Sequence, residues 1–322
     1  MILSSSLPVF TGIGTQYNDI QAPVVNSGNM VNRGIDISVA STNISRPNFE
    51  WKTNVIFSKY KNILNYLNSE TAEISRYVEY GNAVLLTRTI KGRSVGGFYG
   101  FVTDGLYRSM DELNNGPDQG LGISPKGTWL GDIRYKDLNG DGKIDQSDLT
   151  FIGDPNPSFT YGITNTFRYK TLDLSVFLQG SYGNDVLNYT KRTTEALNNV
   201  YSNQLETVTD RYSASNTDGA LPRYNQWHNN NIRVSDRYVE DGSYLRIQNV
   251  TLGYNLPINI IKRVKMANAR LFVSGQNLYT FTKYTGYDPE LGAFNGGATF
   301  FNIDNGNYPN PRTFTFGANI TF

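Results

Sequence analysis

Alternation of apolar and polar residues, sustained over segments of about a dozen residues, constrains this chain more than any other feature. Phe314, Phe316, Ala318, Ile320 and Phe322 share one parity, and Thr313, Thr315, Gly317, Asn319 and Thr321 the other. Upstream, Phe159, Tyr161, Ile163, Phe167 and Tyr169 alternate with Ser158, Thr160, Gly162, Thr164, Thr166 and Arg168. Leu172, Leu174, Val176 and Leu178 then alternate with Thr171, Asp173, Ser175 and Gln179. The same pattern covers Val31–Ala40, Phe49–Ser58, Val250–Leu256 and Ala269–Phe281. A period of two places successive side chains on opposite faces of a strand, so each segment predicts a strand with one apolar and one polar face.

Strand length and charge placement choose between the environments such strands could meet. Strands of soluble domains cluster near ~5–6 residues, whereas tilted membrane strands need ~9–11. The segments here match the second length. Asp36, Lys52, Arg168, Asp173 and Arg270 all take the polar parity, as expected where that face lines a wet lumen and charge facing lipid is costly. Arg33 and Arg246 break parity, and each lies near a strand start, where a headgroup zone or a bulge would accept it. Connections alternate too: Thr42–Pro47 and Tyr169–Thr171 are short, while about 104–157, 183–243 and 283–311 are long. Short turns on one side and long loops on the other are the habit of outer-membrane barrels. The link 257–268, with Lys262, Arg263 and Lys265, suits a membrane edge, and Lys191–Val200 reads as a helical piece. An antiparallel β-sandwich with decorated loops is the alternative, since alternation alone does not distinguish lipid from a protein core.

Composition mainly removes possibilities. The 322 residues carry a net charge of +1 with 29 scattered Lys and Arg, which gives no reason to expect nucleic acid as a partner. No cysteine is present, which excludes disulfides, thiolate zinc sites and thiol catalysis. No apolar run reaches the ~18 residues of a membrane helix, a test to which barrels are silent. Met1–Leu7 lacks the basic and apolar regions of a signal peptide.

One local motif has ligand spacing. Asp137, Asn139, Asp141, Lys143 (by its backbone carbonyl), Asp145 and Asp148 fall at positions 1, 3, 5, 7, 9 and 12 of an EF-hand-type loop, with Gly142 at the turn. Asp148 stands where a longer, bidentate Glu is usual, and no pair of amphipathic helices flanks the loop. The expectation is a structural Ca²⁺ ion stapling a long external loop; the alternative is a solvated Asx/Gly turn. Catalytic constellations are missing. His228 is the single histidine, so a Ser-His-Asp arrangement would have to use it. Gly96-Gly97-Phe98-Tyr99-Gly100 lacks the Gly-Lys-Ser/Thr of a phosphate loop and reads as close packing. The chain is expected not to be an enzyme.

Several segments, in order, resemble the C-terminal part of the SusC/RagA family of TonB-dependent outer-membrane transporters. They are Asn29–Ile37; Gly97–Phe101 with Asp104–Tyr107; Gly131–Tyr135 leading into the Asp/Asn/Gly loop; Ile152–Pro157 with Phe159, Tyr161 and Gly162; and Phe177–Gly180. Val239–Ile247, Asn249–Tyr254, Ser274–Leu278, Gly286–Glu290 and a terminal Phe322 follow. The resemblance implies an all-β, antiparallel transmembrane barrel of about 22 strands around an N-terminal plug. It implies TonB-driven import of oligosaccharides or peptides across the cell outer membrane, with a SusD-like lipoprotein as lid. This chain, 1–322, is expected to supply about ten or eleven strands and long extracellular loops, with the plug absent. An open half-barrel would leave unpaired edges in lipid, so such a fragment is expected to be inactive alone. Lys52, Arg168, Asp173 and Arg270 would line the path, and Trp129, Trp227 and Tyr308 would stack against substrate rings. A soluble or surface-attached β-rich module stabilised by calcium is the rival reading, and an outer-membrane enzyme using His228 the second.

Overall fold

The computed structural model describes residues 2–10, 24–69, 72–80, 82–198, 201–263, 266–293, 297 and 299–322. Met1, Val200 and Lys265, which entered the expectations above, lie outside them. Eight strands form one continuous antiparallel sheet: β1 (Ile2–Phe10), β2 (Val24–Arg46), β3 (Phe49–Leu67), β4 (Phe159–Tyr169), β5 (Leu172–Tyr182), β6 (Tyr244–Asn255), β7 (Asn268–Thr282) and β8 (Thr313–Thr321). Each strand pairs with the next in sequence, an up-and-down meander. Every predicted segment is a strand of this wall. Among the described residues the wall counts eight strands, not the expected ten or eleven; the remaining strands, of at most nine residues, pair in separate small sheets of the loops. Among the described residues no helix is long and apolar enough to cross a membrane, which says nothing of a barrel.

Turns follow the predicted asymmetry. The strand β2 runs through the predicted Thr42–Pro47 link to Arg46, and only Pro47 and Asn48 turn the chain. Lys170 and Thr171 connect β4 to β5, with Lys170 at a positive φ of 52° that closes the two-residue hairpin. The helix Ile258–Arg263 occupies the third link at this end.

The wall has the expected two faces. Ile35, Ile37, Val39, Leu172, Leu252, Leu271, Phe314, Phe316 and Ile320 are all exposed, Phe316 at 80%. They lie on one side and form no core. The opposite face carries charge in register: Arg168 stands between Glu50 on β3 and Asp173 on β5.

Both parity breaks have a structural cause. The β5–β6 and β6–β7 registers slip around Gln248. That bulge reverses the parity of β6, so Leu245 and Ile247 join the outer face and Arg246 turns inward. Arg33 instead stays on the outer parity. It lies 13 residues from Arg46, the last residue before the turn, so at ~3.3 Å per residue and ~45° tilt it clears a ~25 Å apolar band.

The buried core sits in the long loops. Phe98, Leu86, Leu187, Tyr238 and Ile303 head one cluster, and Ile133, Tyr135 and Ile144 a second. The hairpin Glu73–Tyr80/Asn82–Ile90 and the strands Gly97–Gly100 and Thr150–Gly153 build a small sheet there. Gly100 is required by close approach: a Cβ would lie 2.6 Å from the Val234 carbonyl oxygen. The helical piece expected at Lys191–Val200 is a short helix, Tyr189–Thr194.

Candidate functional site

The inner face of the wall and the loop layer above it gather most of the predicted site residues. Near the turns, Glu50 Oε1 lies 3.1 Å from Lys52 Nζ and Glu50 Oε2 3.8 Å from Arg168. One strand further, Asp173 pairs with Arg270 at 2.5 Å and accepts from Asn255 Nδ2 at 3.2 Å. Asp173 is on β5 and Arg270 on β7, so the guanidinium must cross β6. It crosses over Gly253, the register partner of Asp173, where a Cβ would lie 2.3 Å from Nη2. Glycine at that position is thus a saddle for a cross-strand ion pair.

Higher on the same face, Arg246 is 1% exposed and is the largest fully buried side chain. Its Nε donates to Thr280 Oγ1 at 2.9 Å, Nη1 to Glu290 Oε2 at 2.6 Å, and Nη2 to Asp288. Asp288 also accepts from the backbone and side-chain amides of Asn310, and Glu290 from Gln179. One arginine therefore pins the 283–311 loop to the inner wall. A buried cation this well partnered is a structural anchor: only the loss of both carboxylates would leave its charge uncompensated. Sequence reasoning treated Arg246 only as a parity exception; the Asp-Pro-Glu run in the loop was the available signal for its partners.

The Asp137–Asp148 loop folds back on its own amides. Asp137 accepts from Gly140 N and Gly142 N at 2.7 Å each, Asn139 Oδ1 from Asp141 N at 2.9 Å, and Asp141 Oδ1 from Lys143 N at 2.9 Å. The Gly142 amide foremost, then that of Gly140, holds the Asp137 carboxyl below its ordinary range. Asp145 Oδ1 accepts from Ser147 N. Asp148 is fully buried, with its two oxygens on Leu138 N and Asp145 N in a capping box. Among the described residues no three His, Asp or Glu side chains converge on a point that would hold a metal. Asp148, the carboxylate expected to close a calcium site, is here turned onto the Leu138 and Asp145 amides.

His228 is embedded. Its Nε2 is 2.9 Å from the Gly127 carbonyl oxygen, 2.5 Å from Asn225 Nδ2 and 3.8 Å from Asp132 Oδ2, and Nδ1 accepts from Asn230 N at 3.2 Å, so backbone and side-chain groups together fix the ring. Beside it, Asp132 is 2% exposed and accepts two bonds from Arg223, one from Asn231 Nδ2 and one from Trp129 N. No hydroxyl among the described residues is hydrogen-bonded to His228. Of the predicted aromatics, Trp129 is half-buried, Trp227 is exposed with Lys126 Nζ 4.6 Å from its ring, and Tyr308 is 90% exposed.

No protein-family profile matches the chain. The curated TonB-dependent receptor P3 of Formosa agariphila is 35% identical over 315 residues, covering 95% of this chain and 30% of the receptor. The TonB-dependent receptor SusC of Bacteroides thetaiotaomicron is 25% identical over 100% of the chain and 29% of its own length. Among solved structures, the RagAB peptide transporter superposes with a TM-score of 0.73 at 19% identity, over 94% of this chain and 30% of that one. The chain thus spans about 30% of the length of the proteins it matches.

Proposed function

Because the chain belongs to the SusC/RagA family of TonB-dependent receptors, of which it covers a β-barrel section, we propose that it forms part of the substrate-facing wall and the outer cap of an outer-membrane nutrient importer. The observation that supports this most directly is the division of the sheet: large apolar side chains exposed on one face, paired charges and amides on the other. In water that apolar face would be an aggregation surface; in lipid it is solvated. Lys52, Arg168, Asp173 and Arg270 then edge a wet path, and residues 1–322 act as the C-terminal barrel part of a longer receptor. Import draws energy through TonB, a SusD-like lipoprotein covers the mouth, and the solute is an oligosaccharide or a peptide, the latter being what the RagAB relative is described as carrying. Bond chemistry has no place in this reading: His228 is held between the Gly127 and Asn230 backbone and the Asn225 side chain.

The test uses the receptor containing this section, expressed in its outer membrane. Heat-modifiable gel mobility, co-fractionation with outer membrane, and uptake of labelled oligosaccharide or peptide that stops when the proton motive force is collapsed are expected. Recovery in the soluble fraction without heat-modifiable mobility would return the chain to the soluble-module reading.

A further inference from the structure

In the loop layer, the strand Asn82–Ile90, the strand Gly97–Gly100, the helix Tyr189–Thr194 and residues 229–234 border an open cleft of about 1070 Å³. Two arginines line it. Arg192 is anchored through Nε to the Ile232 carbonyl at 2.6 Å and through Nη1 to the Tyr189 hydroxyl at 3.0 Å. Arg233 donates through Nη2 to Asn230 Oδ1 at 3.0 Å, and its guanidinium carbon lies 5.1 Å from the Phe101 ring centroid and 5.6 Å from that of Tyr135. Its Nη1 is buried without a hydrogen-bond partner among the described residues.

Their neighbours in the same layer behave differently. Arg223 meets Asp132, Arg237 meets Glu195, and Arg134 meets Asp104 and Glu112. Arg192 and Arg233 have no carboxylate within ion-pair distance among the described residues. The acid on the cleft, Asp145, gives one oxygen to the Ser147 amide. Burial pulls the Arg233 guanidinium below the ordinary arginine value, which a nearby anion would reverse. A desolvated guanidinium with an unspent N–H is costly until an anion meets it. Its planar fork matches a carboxylate, and both forks here are already oriented by carbonyl, amide or hydroxyl anchors and by aromatic rings.

We propose that this cleft selects carboxylate-bearing oligomers, with Arg233 and Arg192 as the anchoring pair and the amides of Asn229 and Asn230 beside them. The shared chemistry is the carboxylate, whether carried by a uronic acid of an oligosaccharide or by an acidic residue of a peptide. This proposal rests on the import reading, since it names the solute class of that path.

Binding is measured by calorimetry on the purified receptor containing this section, with two matched pairs of probes. Trigalacturonate is set against its methyl ester, and a Glu-containing tetrapeptide against its Gln counterpart. One acidic probe is expected to bind about tenfold or more tighter than its neutral partner, the scale of one charge-assisted contact pair; which pair shows the gap identifies the source of the carboxylate. Arg233→Gln should collapse that gap while neutral binding stays, and Arg233→Lys should keep part of it. Because Arg233 also supports Asn230, Arg192→Gln is the second variant, and heat-modifiable mobility reports whether each barrel is intact. Equal affinity for acidic and neutral probes overturns the proposal. So does an intact Arg233→Gln barrel that keeps the full gap, as would follow if an acidic side chain elsewhere in the receptor already fills the cleft. Charge-selective binding without uptake would sink the import reading and leave the cleft standing; uptake without charge selection would do the reverse.

Discussion

The wall and the loop layer use apolar residues in opposite ways. In the wall, Ile35 and Phe316 are 64% and 80% exposed and their strands run from 9 to 23 residues. In the layer above, Phe98, Leu86 and Ile303 are fully buried and the strands that hold Phe98 and Ile303 are four and two residues long. A strand whose apolar side is solvated by lipid repeats the same pattern along its length. A loop core takes single residues from distant points and packs them once. The first arrangement depends on the surrounding medium, the second on contacts within the chain, so the two should fail independently.

The largest effect is expected where that medium is challenged. Phe316→Arg places a cation on the outer face near mid-strand, at about 2–4 kcal/mol if it lies near the bilayer midplane. Thr315→Arg places the same charge one residue away, facing inward. Outer-membrane levels and heat-modifiable mobility should fall sharply for the first and little for the second. Equal losses would mean that β8 does not divide lipid from lumen.

A second substitution should break the layer and spare the wall. Asp148→Ala removes the acceptor for the Leu138 and Asp145 amides in a site without solvent, at about 1–3 kcal/mol for the orphaned donors. Proteolysis within residues 104–157 should quicken while heat-modifiable mobility is kept. Chelator should leave cleavage unchanged, because the loop closes on its own amides. Faster cleavage on adding chelator, or protection on adding calcium, would return a bound ion to the loop.

How much was legible follows the same division. The alternating run that starts at Ser158 matches β4 to within one residue, because both neighbours continue the same pleat and a two-residue turn ends it. The inward turn of Arg246 was not legible as geometry: a bulge at Gln248 shifts parity without changing composition. Nor were the loop cores, in which Leu86, Phe98, Leu187 and Ile303 come together from positions far apart in the chain and no period records it. One loop element had a usable signal that went unread. Gly81-Asn82 between an alternating run and an apolar one is a hairpin cue for Glu73–Tyr80 and Asn82–Ile90. In the Asp137–Asp148 loop the spacing located the turn but not its filling, since the same carboxylates that ligate a cation also cap amides.

The smallest expected effect uses two acids on paired strands of the layer, Asp185–Asn188 and Val239–Asp241. Burial, with Asp154 and Asp241 nearby, raises the Asp185 carboxyl above its ordinary value, against the Asp154 amide that bonds its charged form. For Glu240 burial acts upward but is outweighed by the Thr285 amide and hydroxyl and by Lys191, and the net shift is downward. The signs therefore oppose. A group raised on folding favours the folded layer below its unfolded pKa, and that contribution is lost as pH rises through the folded value; a depressed group contributes above its unfolded pKa and loses it as pH falls. Asp185→Asn keeps a carbonyl to accept from Asp154 N, now at 2.8 Å, and removes the charge. It should slow proteolysis of the layer slightly at pH 7 and converge with the parent near pH 3. Glu240→Gln should speed it at pH 7, where the carboxylate holds Thr285 and Lys191, and also converge in acid. If both variants shift protection the same way at pH 7, the electrostatic assignment of this strand pair fails, and the loop layer owes its hold to apolar packing alone.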